Sequence, residues 1–419
     1  MKLKQKIMVT ITTFLLGLNL FNPSFLAATT DLSVAANAAI SVDAKTGQII
    51  YQKNADQSLA IASISKLITT YMVVEQIKQH HLKWNDRIKI SQGVADLSQE
   101  AELTNVPLKT GASYTVKELV EASLIASANA AAVALGNQVA GSPIKFAKAM
   151  NQTVQKMGIH DAKLYNAAGV TNEEMGTSLK LKSVGANAEN MMSAKDVSLV
   201  AMKLIQADPQ ILNVTKQSKF NFAGTTYPGH NQLLGTDLKV DGLKTGTSDK
   251  SGGSFVGTAN QNHHRIITVV LHASNQSSDD PGRFNETRKI MEYTYQHFNR
   301  YVIAAGQSVN AAKSVSVVDG KKDQVAVGLT QATALWMPKT VSRDKILGKI
   351  KLVTANDQLS APLEKNQKVG TISFKSADYK INYLNNSLAQ HTIKTTDSVA
   401  KQNVFIRIIN HIIDWFKSF

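Results

Sequence analysis

Ser63 and Lys66 stand three residues apart in Ser63-Ile64-Ser65-Lys66. On a helix that spacing is one turn, so the amine returns beside the hydroxyl. A neutral lysine in a desolvated site takes the hydroxyl proton and leaves an oxygen able to attack a carbonyl. A helix starting at the serine adds backbone N–H groups where an oxyanion would form. Alone the pattern is weak. Ser-x-x-Lys also begins at Ser142, Ser342 and Ser398, and a serine at a helix start is as readily an N-cap with a solvated lysine behind it. Ser-x-Asn occurs at Ser127-Ala128-Asn129 and from Ser308, and Lys-Thr-Gly occurs at Lys45, Lys109 and Lys244. The first Ser-x-Asn lies in an Ala-rich helical stretch, where both side chains could cap a helix instead.

Context separates these copies. Residues 39–51 read as two β-rich runs around a turn at Ala44-Lys45-Thr46-Gly47, a hairpin signal. Ser63 follows it at the head of a helical run in which Ile64, Leu67, Ile68, Tyr71, Met72 and Ile77 are apolar. Segments 115–160 and 192–207 are rich in Ala, Leu and Met and read as helix. Residues 253–259 and 266–273 read as strands joined through Asn260-Gln261-Asn262-His263, directly after Lys244-Thr245-Gly246-Thr247. Residues 283–298 return to helix, with Phe284, Ile290, Met291 and Tyr295 periodic. Strands at both ends with helices between predict an α+β domain whose sheet gathers distant segments. Beyond 308, short alternating runs punctuated by Asp319-Gly320, Pro338, Pro362 and Gly370 predict a small β-sandwich.

The order Ser63-x-x-Lys66, Ser127-x-Asn129, Lys244-Thr245-Gly246 is the set found in penicillin-binding proteins and serine β-lactamases. The chain resembles the serine D-alanyl-D-alanine carboxypeptidases, low-molecular-mass penicillin-binding proteins. Val42-Asp43-Ala44-Lys45-Thr46-Gly47 resembles their opening hairpin, Ser193-Ala194-Lys195-Asp196 their SA-x-D segment, Val240-Asp241-Gly242-Leu243 their approach to KTG, and Arg283-Phe284-Asn285-Glu286 their late Arg-bearing helix. Ala128 replaces the usual Gly within SxN, Ile64-Ser65 replaces the frequent Met-Thr, and 173–187 does not match the pattern. The resemblance implies a penicillin-binding/β-lactamase-like transpeptidase domain over 29–307, a β-rich domain over 308–395 and an amphipathic membrane-anchoring helix over 396–419. It implies Ser63 as nucleophile on the bond between two D-Ala residues of a peptidoglycan stem peptide, with Lys66 as proton acceptor. Ser63 and Thr247 would supply oxyanion N–H groups. Ser127 and Lys244 would relay the proton to the leaving amine, and Asn129 would orient the acyl chain. Lys244, Thr245 and Arg283 would bind the terminal carboxylate beside Gly246. β-Lactam antibiotics would acylate the same serine, with no cofactor and no metal.

The remaining sequence places this chemistry. There is no Cys, which excludes disulfides, thiol catalysis and iron–sulfur clusters. Hydrophobic residues at 43% and charged residues at 18% describe a globular chain, and 419 residues suit two folded units. The formal charge is +15. Lys2, Lys4 and Lys6, the apolar run over 7–20 and Ala27-Ala28 read as a secretory signal peptide over 1–28. Its loss would leave +12. Export makes anionic lipid or wall polymer a better partner than nucleic acid. At the other end Phe405, Ile408, Ile409, Ile412, Trp415, Phe416 and Phe419 share one helical face, too short and charged to span a bilayer but suited to its interface. The alternative is a terminal helix packed on its own domain. The expected location is the outer face of the cytoplasmic membrane, on the wall side. The adjacent pairs His80-His81 and His263-His264 make poor metal ligands. A β-lactamase would need a Glu four residues before an Asn, and Glu173 and Glu174 precede Thr177 and Ser178 instead. A D,D-endopeptidase on the same fold and an idle wall-binding protein remain as alternatives. Oligomeric state is not legible.

Overall fold

The computed structural model describes residues 32–276, 280–354, 357–404, 406 and 415. The expected signal peptide falls outside them, as do Phe405, Ile408, Ile409, Ile412, Phe416 and Phe419 of the tail.

β1 (Ala36–Asp43) and β2 (Gln48–Lys53) form the expected hairpin. Its turn is set by Asp43, whose Oδ1 accepts from the Lys45 and Thr46 N–H groups at 3.0 and 2.7 Å, while Gly47 takes φ +69°. β3 (Val240–Ser248), β4 (Gly252–Gln261) and β5 (His264–Ala273) run antiparallel and join β1, so the first and last strands of the domain meet at the sheet centre. Alternation along β5 explains the layers. Ile267, Val269 and Leu271 face one core, and Ile266 and Val270 face the other. The first core is covered by α1 (Lys66–Lys78), α2 (Val116–Leu124), α3 (Asn129–Ala140), α4 (Pro143–Lys156) and α5 (Ala194–Ala207), the second by α6 (Gly282–His297).

Caps fix several of these helices. Thr115 and Glu118 form a capping box on α2. Ser142 accepts from Lys145 N–H at 3.3 Å ahead of Pro143, so that Ser-x-x-Lys is a helix cap. Ser193 accepts from Asp196 N–H at 3.1 Å, which gives the SA-x-D segment a capping role.

The β-rich region contains β6 (Phe298–Ile303), β7 (Ser314–Val318), β8 (Gln324–Leu329), β9 (Thr333–Pro338), β10 (Leu347–Leu352), β11 (Leu359–Ser360), β12 (Lys368–Lys375), β13 (Asn382–Tyr383) and β14 (His391–Thr395). The predicted sandwich takes the form of one six-stranded sheet, β10-β12-β14-β8-β7-β11. It curls nearly closed where Asn310 bridges Leu347 and accepts from Gly348 N–H at 2.9 Å. Three features differ from the sequence reading. β6 lies ahead of residue 308 and pairs with β9 in a separate ribbon. β13 joins the edge of the catalytic sheet, Asn382 opposite Ile49. β14, at the end of the span expected to be β-rich, is not picked out as a strand in the sequence, and Ile393, Thr395 and Val399 are buried there. The two regions are also tied by Trp336. Its indole N–H donates to Asp43 Oδ2 at 2.7 Å, and its backbone exchanges hydrogen bonds with the Gln48 amide at 2.7 and 2.8 Å. Beyond Lys401, which bridges Gly320, Val404, Ile406 and Trp415 are helical and exposed. No helix among the described residues is long and apolar enough to cross a membrane.

Candidate active site

Ser63 sits in a 3₁₀ turn, Ala62–Ser65, that runs directly into α1. Ala62 holds φ +42°, a left-handed conformation that costs a non-glycine residue of order 1 kcal/mol and marks a position fixed by its surroundings. One turn later the fully buried Lys66 amine donates to Ser63 Oγ at 2.6 Å, to Asn129 Oδ1 at 2.7 Å and to the Ala168 carbonyl at 3.0 Å. Burial holds this amine well below the usual lysine range, and the nearby Lys244 ammonium acts in the same direction. No carboxylate lies within ion-pair distance of Lys66 among the described residues. The amine therefore has reason to be neutral, and as a neutral group it keeps two N–H donors for Asn129 Oδ1 and the Ala168 carbonyl and turns its lone pair to the Ser63 hydroxyl.

Asn129 is the first residue of α3. Its backbone and side-chain N–H groups both donate to the Thr104 carbonyl at 3.0 Å, leaving Oδ1 for Lys66. Asn105 Oδ1 accepts the next N–H, from Ala130, at 2.9 Å. Ser127 precedes this helix at φ +60° and is nearly buried. Ala128 is completely buried, a packed position for the residue that replaces glycine in this motif.

Lys244, Thr245, Gly246 and Thr247 lie along β3, opposite Val256, Phe255, Ser254 and Gly253 of β4. A Cβ on Gly246 would come within 2.8 Å of the Ile61 carbonyl, so glycine is what lets this strand approach the serine turn. Burial lowers the Lys244 amine to about 7, with the Arg283 charge acting alongside. Arg283, from α6, is 5% exposed; Nη1 donates to the Gly246 carbonyl at 3.0 Å and to Thr247 Oγ1 at 2.6 Å, and Nη2 donates to Asn275 Oδ1 at 3.0 Å. Its guanidinium thus braces the motif strand and polarises the Thr247 hydroxyl. Ser63, Asn129 and Thr247 open together into a cleft of about 440 Å³, whose lining includes Glu102, Glu174 and the buried Glu189.

Several contributors left no sequence signal that would have singled them out. Gly169 takes φ +83°, and a Cβ there would stand 1.9 Å from the Ala62 carbonyl. It lets the 166–169 turn press the Ala168 carbonyl onto Lys66. Asn166 shapes that turn by accepting from the Ala168 and Gly169 N–H groups at 3.1 and 2.7 Å. The buried Asn190 joins it to the nucleophile turn, donating to Ser65 Oγ at 2.9 Å and to the Asn166 carbonyl at 2.8 Å. His230 lines a small space with Lys244, Leu124 and Ile125, its Nε2 lying 3.4 Å from the Ala126 carbonyl next to Ser127. Burial and then the Lys244 charge hold its imidazole below the usual histidine value. The decoy motifs lie elsewhere: Ser342 starts a 3₁₀ turn, Ser398 lies outside helix and strand, and Lys45 and Lys109 occupy exposed turns. Among the described residues no group of three or more His, Asp or Glu could hold a metal ion.

The constellation is a buried lysine beside an accessible serine, with a strand of backbone N–H groups across a cleft. Known proteins resemble the chain that carries it. The D-alanyl-D-alanine carboxypeptidase family profile matches residues 26–275, and that of the penicillin-binding protein 5 C-terminal domain matches 299–404. D-alanyl-D-alanine carboxypeptidase DacC of Escherichia coli (strain K12) is 29% identical over 95% of this chain and 94% of its own. The crystal structure of a peptidoglycan synthesis regulatory factor (PBP3) from Streptococcus pneumoniae superposes with a TM-score of 0.74 at 34% identity, covering 88% of this chain and all of that one. Penicillin-Binding Protein D2 from Listeria monocytogenes, solved in a cefotaxime-bound form, matches with a TM-score of 0.54 at 30% identity over 63% of this chain and 98% of its own. A profile that covers well over half of the sequence, on a fold that its relatives share, places this chain in the D-alanyl-D-alanine carboxypeptidase family.

Proposed function

We propose that the protein removes the terminal D-Ala from peptidoglycan stem peptides through an acyl-enzyme on Ser63, and that β-lactams acylate the same oxygen. The observation that carries this reading is the 2.6 Å contact between Ser63 Oγ and a fully buried Lys66 amine. Neutral Lys66 takes the hydroxyl proton as Oγ bonds to the carbonyl carbon. The N–H groups of Ser63 and Thr247 receive the oxyanion, a stabilisation typically worth ~3–4 kcal/mol per donor. When the C–N bond breaks, the departing D-Ala amine takes a proton relayed through Ser127 and Lys244. Water then adds to the ester, with Lys66 again accepting a proton, and Ser63 is restored.

Thr245, Thr247 and protonated Lys244 bind the free carboxylate of the leaving D-Ala, and Arg283 acts through Thr247. Gly246 allows that strand to reach the cleft, while Asn129 holds both Lys66 and the acyl chain. Turnover of a stem pentapeptide and of the same peptide amidated at its C-terminus tests this directly. The free acid should be preferred roughly a hundredfold, in line with loss of a charge-assisted contact. Equal turnover would make the enzyme an endopeptidase.

The exported chain works on the wall side of the cytoplasmic membrane, with the C-terminal helix lying in the interface. Truncation after Gln402 keeps Val399 in its pairing with Leu363 and should release the protein from membranes with penicillin labelling intact. A truncated protein that stays membrane-bound refutes the anchor.

A further inference from the structure

Three adjacent strands of the C-terminal domain, β10, β12 and β14, present a face with an unusual charge balance. The register puts Leu347, Lys349 and Lys351 opposite Lys375, Ser373 and Thr371, and Thr371 opposite Thr392. Inward residues alternate with these: Gly348 and Leu352, Gly370, Ile372 and Phe374, and Ile393 are all buried. The outward face is therefore Lys349, Lys351, Lys375 and Lys394 with the hydroxyls of Thr371, Ser373 and Thr392 between them, and Lys368 paired directly with Lys394. None of the three strands contains an Asp or Glu. Among the described residues, no carboxylate lies within ion-pair distance of any of these lysines. Elsewhere the chain does pair its cations, as in Arg265–Asp241, Lys195–Asp56 and Lys289–Glu286.

Like charges placed opposite one another on a sheet are destabilising, so the fold carries this arrangement at a cost. A negative partner would relieve it. We propose that this face binds a linear phosphodiester polyanion, seating the catalytic domain along an anionic polymer on the wall side. Lys349 and Lys351 stand ~7 Å apart along β10, Lys375 lies diagonally across from Lys349, and Lys368 faces Lys394 at ~5 Å, which lets one flexible chain meet several of them. All are lysines, and the three strands contain no arginine, so the face offers compact point charges able to meet single phosphate oxygens. A bilayer fits less well. Apart from half-buried Leu347 and exposed Val353 at the two ends of β10, the face offers nothing apolar to insert. The tail leaves the domain elsewhere, at the turns after β7 and β11, where Lys401 bridges Gly320 and Val399 bridges Leu363.

The test uses the intact protein with a synthetic poly(glycerol phosphate), and phosphatidylglycerol vesicles as the lipid arm. The wild type should bind the polymer with an affinity that falls roughly tenfold or more between about 50 and 200 mM salt, through counterion release. Converting Lys349, Lys351, Lys375 and Lys394 together to Gln should weaken polymer binding roughly tenfold or more and flatten the salt dependence, with the penicillin acylation rate and melting temperature retained. Converting exposed Lys83, Lys109, Lys148 and Lys156 of the catalytic domain to Gln is the matched control. The proposal is overturned if the wild type does not bind, if the control loses as much as the face variant, or if the face variant loses vesicle binding and keeps the polymer.

Discussion

The two halves of this protein handle polar groups in opposite ways. The core of the C-terminal domain is aliphatic apart from Phe374, and beyond residue 308 the buried polar side chains are Thr333 and Thr395 alone among the described residues. Its charges all stand outside. The catalytic domain buries Lys66, Lys244, Arg283, Ser127 and Asn129 within one site, and holds Ala62 and Ser127 at positive φ beside it. A buried amine is costly when charged and reactive when neutral, so the same desolvation that weakens the fold there suits Lys66 to the proposed role of base. One half is built for stability and the other accepts local cost for chemistry. The difference predicts that single changes should separate cleanly into losses of rate and losses of stability.

The largest effect should come from Lys66. Lys66→Ala should slow penicillin acylation by about 10²–10⁴-fold, the usual worth of a general base, with the circular dichroism melt showing a folded protein. Unchanged labelling would move the base elsewhere. Next is Gly169→Ala, which forces a Cβ into the Ala62 carbonyl from a left-handed backbone. Here the halves should couple, with acylation falling alongside about 1–3 kcal/mol of stability, read by stopped-flow labelling and urea unfolding. In the C-terminal domain Ile372, completely buried on β12, gives the reverse pattern. Ile372→Ala should cost about 2–5 kcal/mol of stability while the acylation rate of the folded protein stays within about twofold. A large rate loss there would show that the domains communicate, through the Trp336–Asp43 contact or the β13 edge.

The smallest effect is a displacement along the pH axis. In the proposed mechanism acylation needs neutral Lys66 and protonated Lys244. The rate should rise as pH passes the depressed Lys66 value and fall as Lys244 titrates near about 7. Arg283 is the second cause of the lowered Lys244 value. Arg283→Gln should therefore move the alkaline limb to higher pH as well as lowering the rate through Thr247. The same lowered value has a stability consequence. Between about 7 and the ordinary lysine value of 10.5 the unfolded chain binds the Lys244 proton and the folded chain does not, so this residue's contribution to stability rises with pH across that window. Lys244→Met should remove that rise, as seen in melting temperature against pH.

What could be read from the sequence follows the same division. Ser63 and Lys66 are legible because one helical turn joins them, and Lys244 because its strand precedes a local hairpin. The alternating strands of the C-terminal domain are legible because alternating burial is written directly in residue type. Asn166, Asn190, Gly169 and Thr104 are not, because they act through backbone carbonyls and N–H groups, with Asn190 reaching Ser65 across 125 positions. β6 is not legible, and β13 is legible as a strand but not as an edge of the catalytic sheet, because their partners, β9 and β2, are chosen by long-range edge pairing. The capping roles of Ser142 and Ser193 show the other limit, since a motif written for chemistry and one written for a helix start use the same residues.

The central claim is that a neutral Lys66 activates Ser63 in an otherwise ordinary helix start. Intact-mass and peptide mapping of the wild type and Ser63→Ala after incubation with benzylpenicillin tests it most directly. One covalent adduct should form on the wild type, on the peptide that contains Ser63, and none on a folded Ser63→Ala protein. An adduct of equal yield on Ser63→Ala, or one mapped to Ser142, Ser342 or Ser398, would contradict the account.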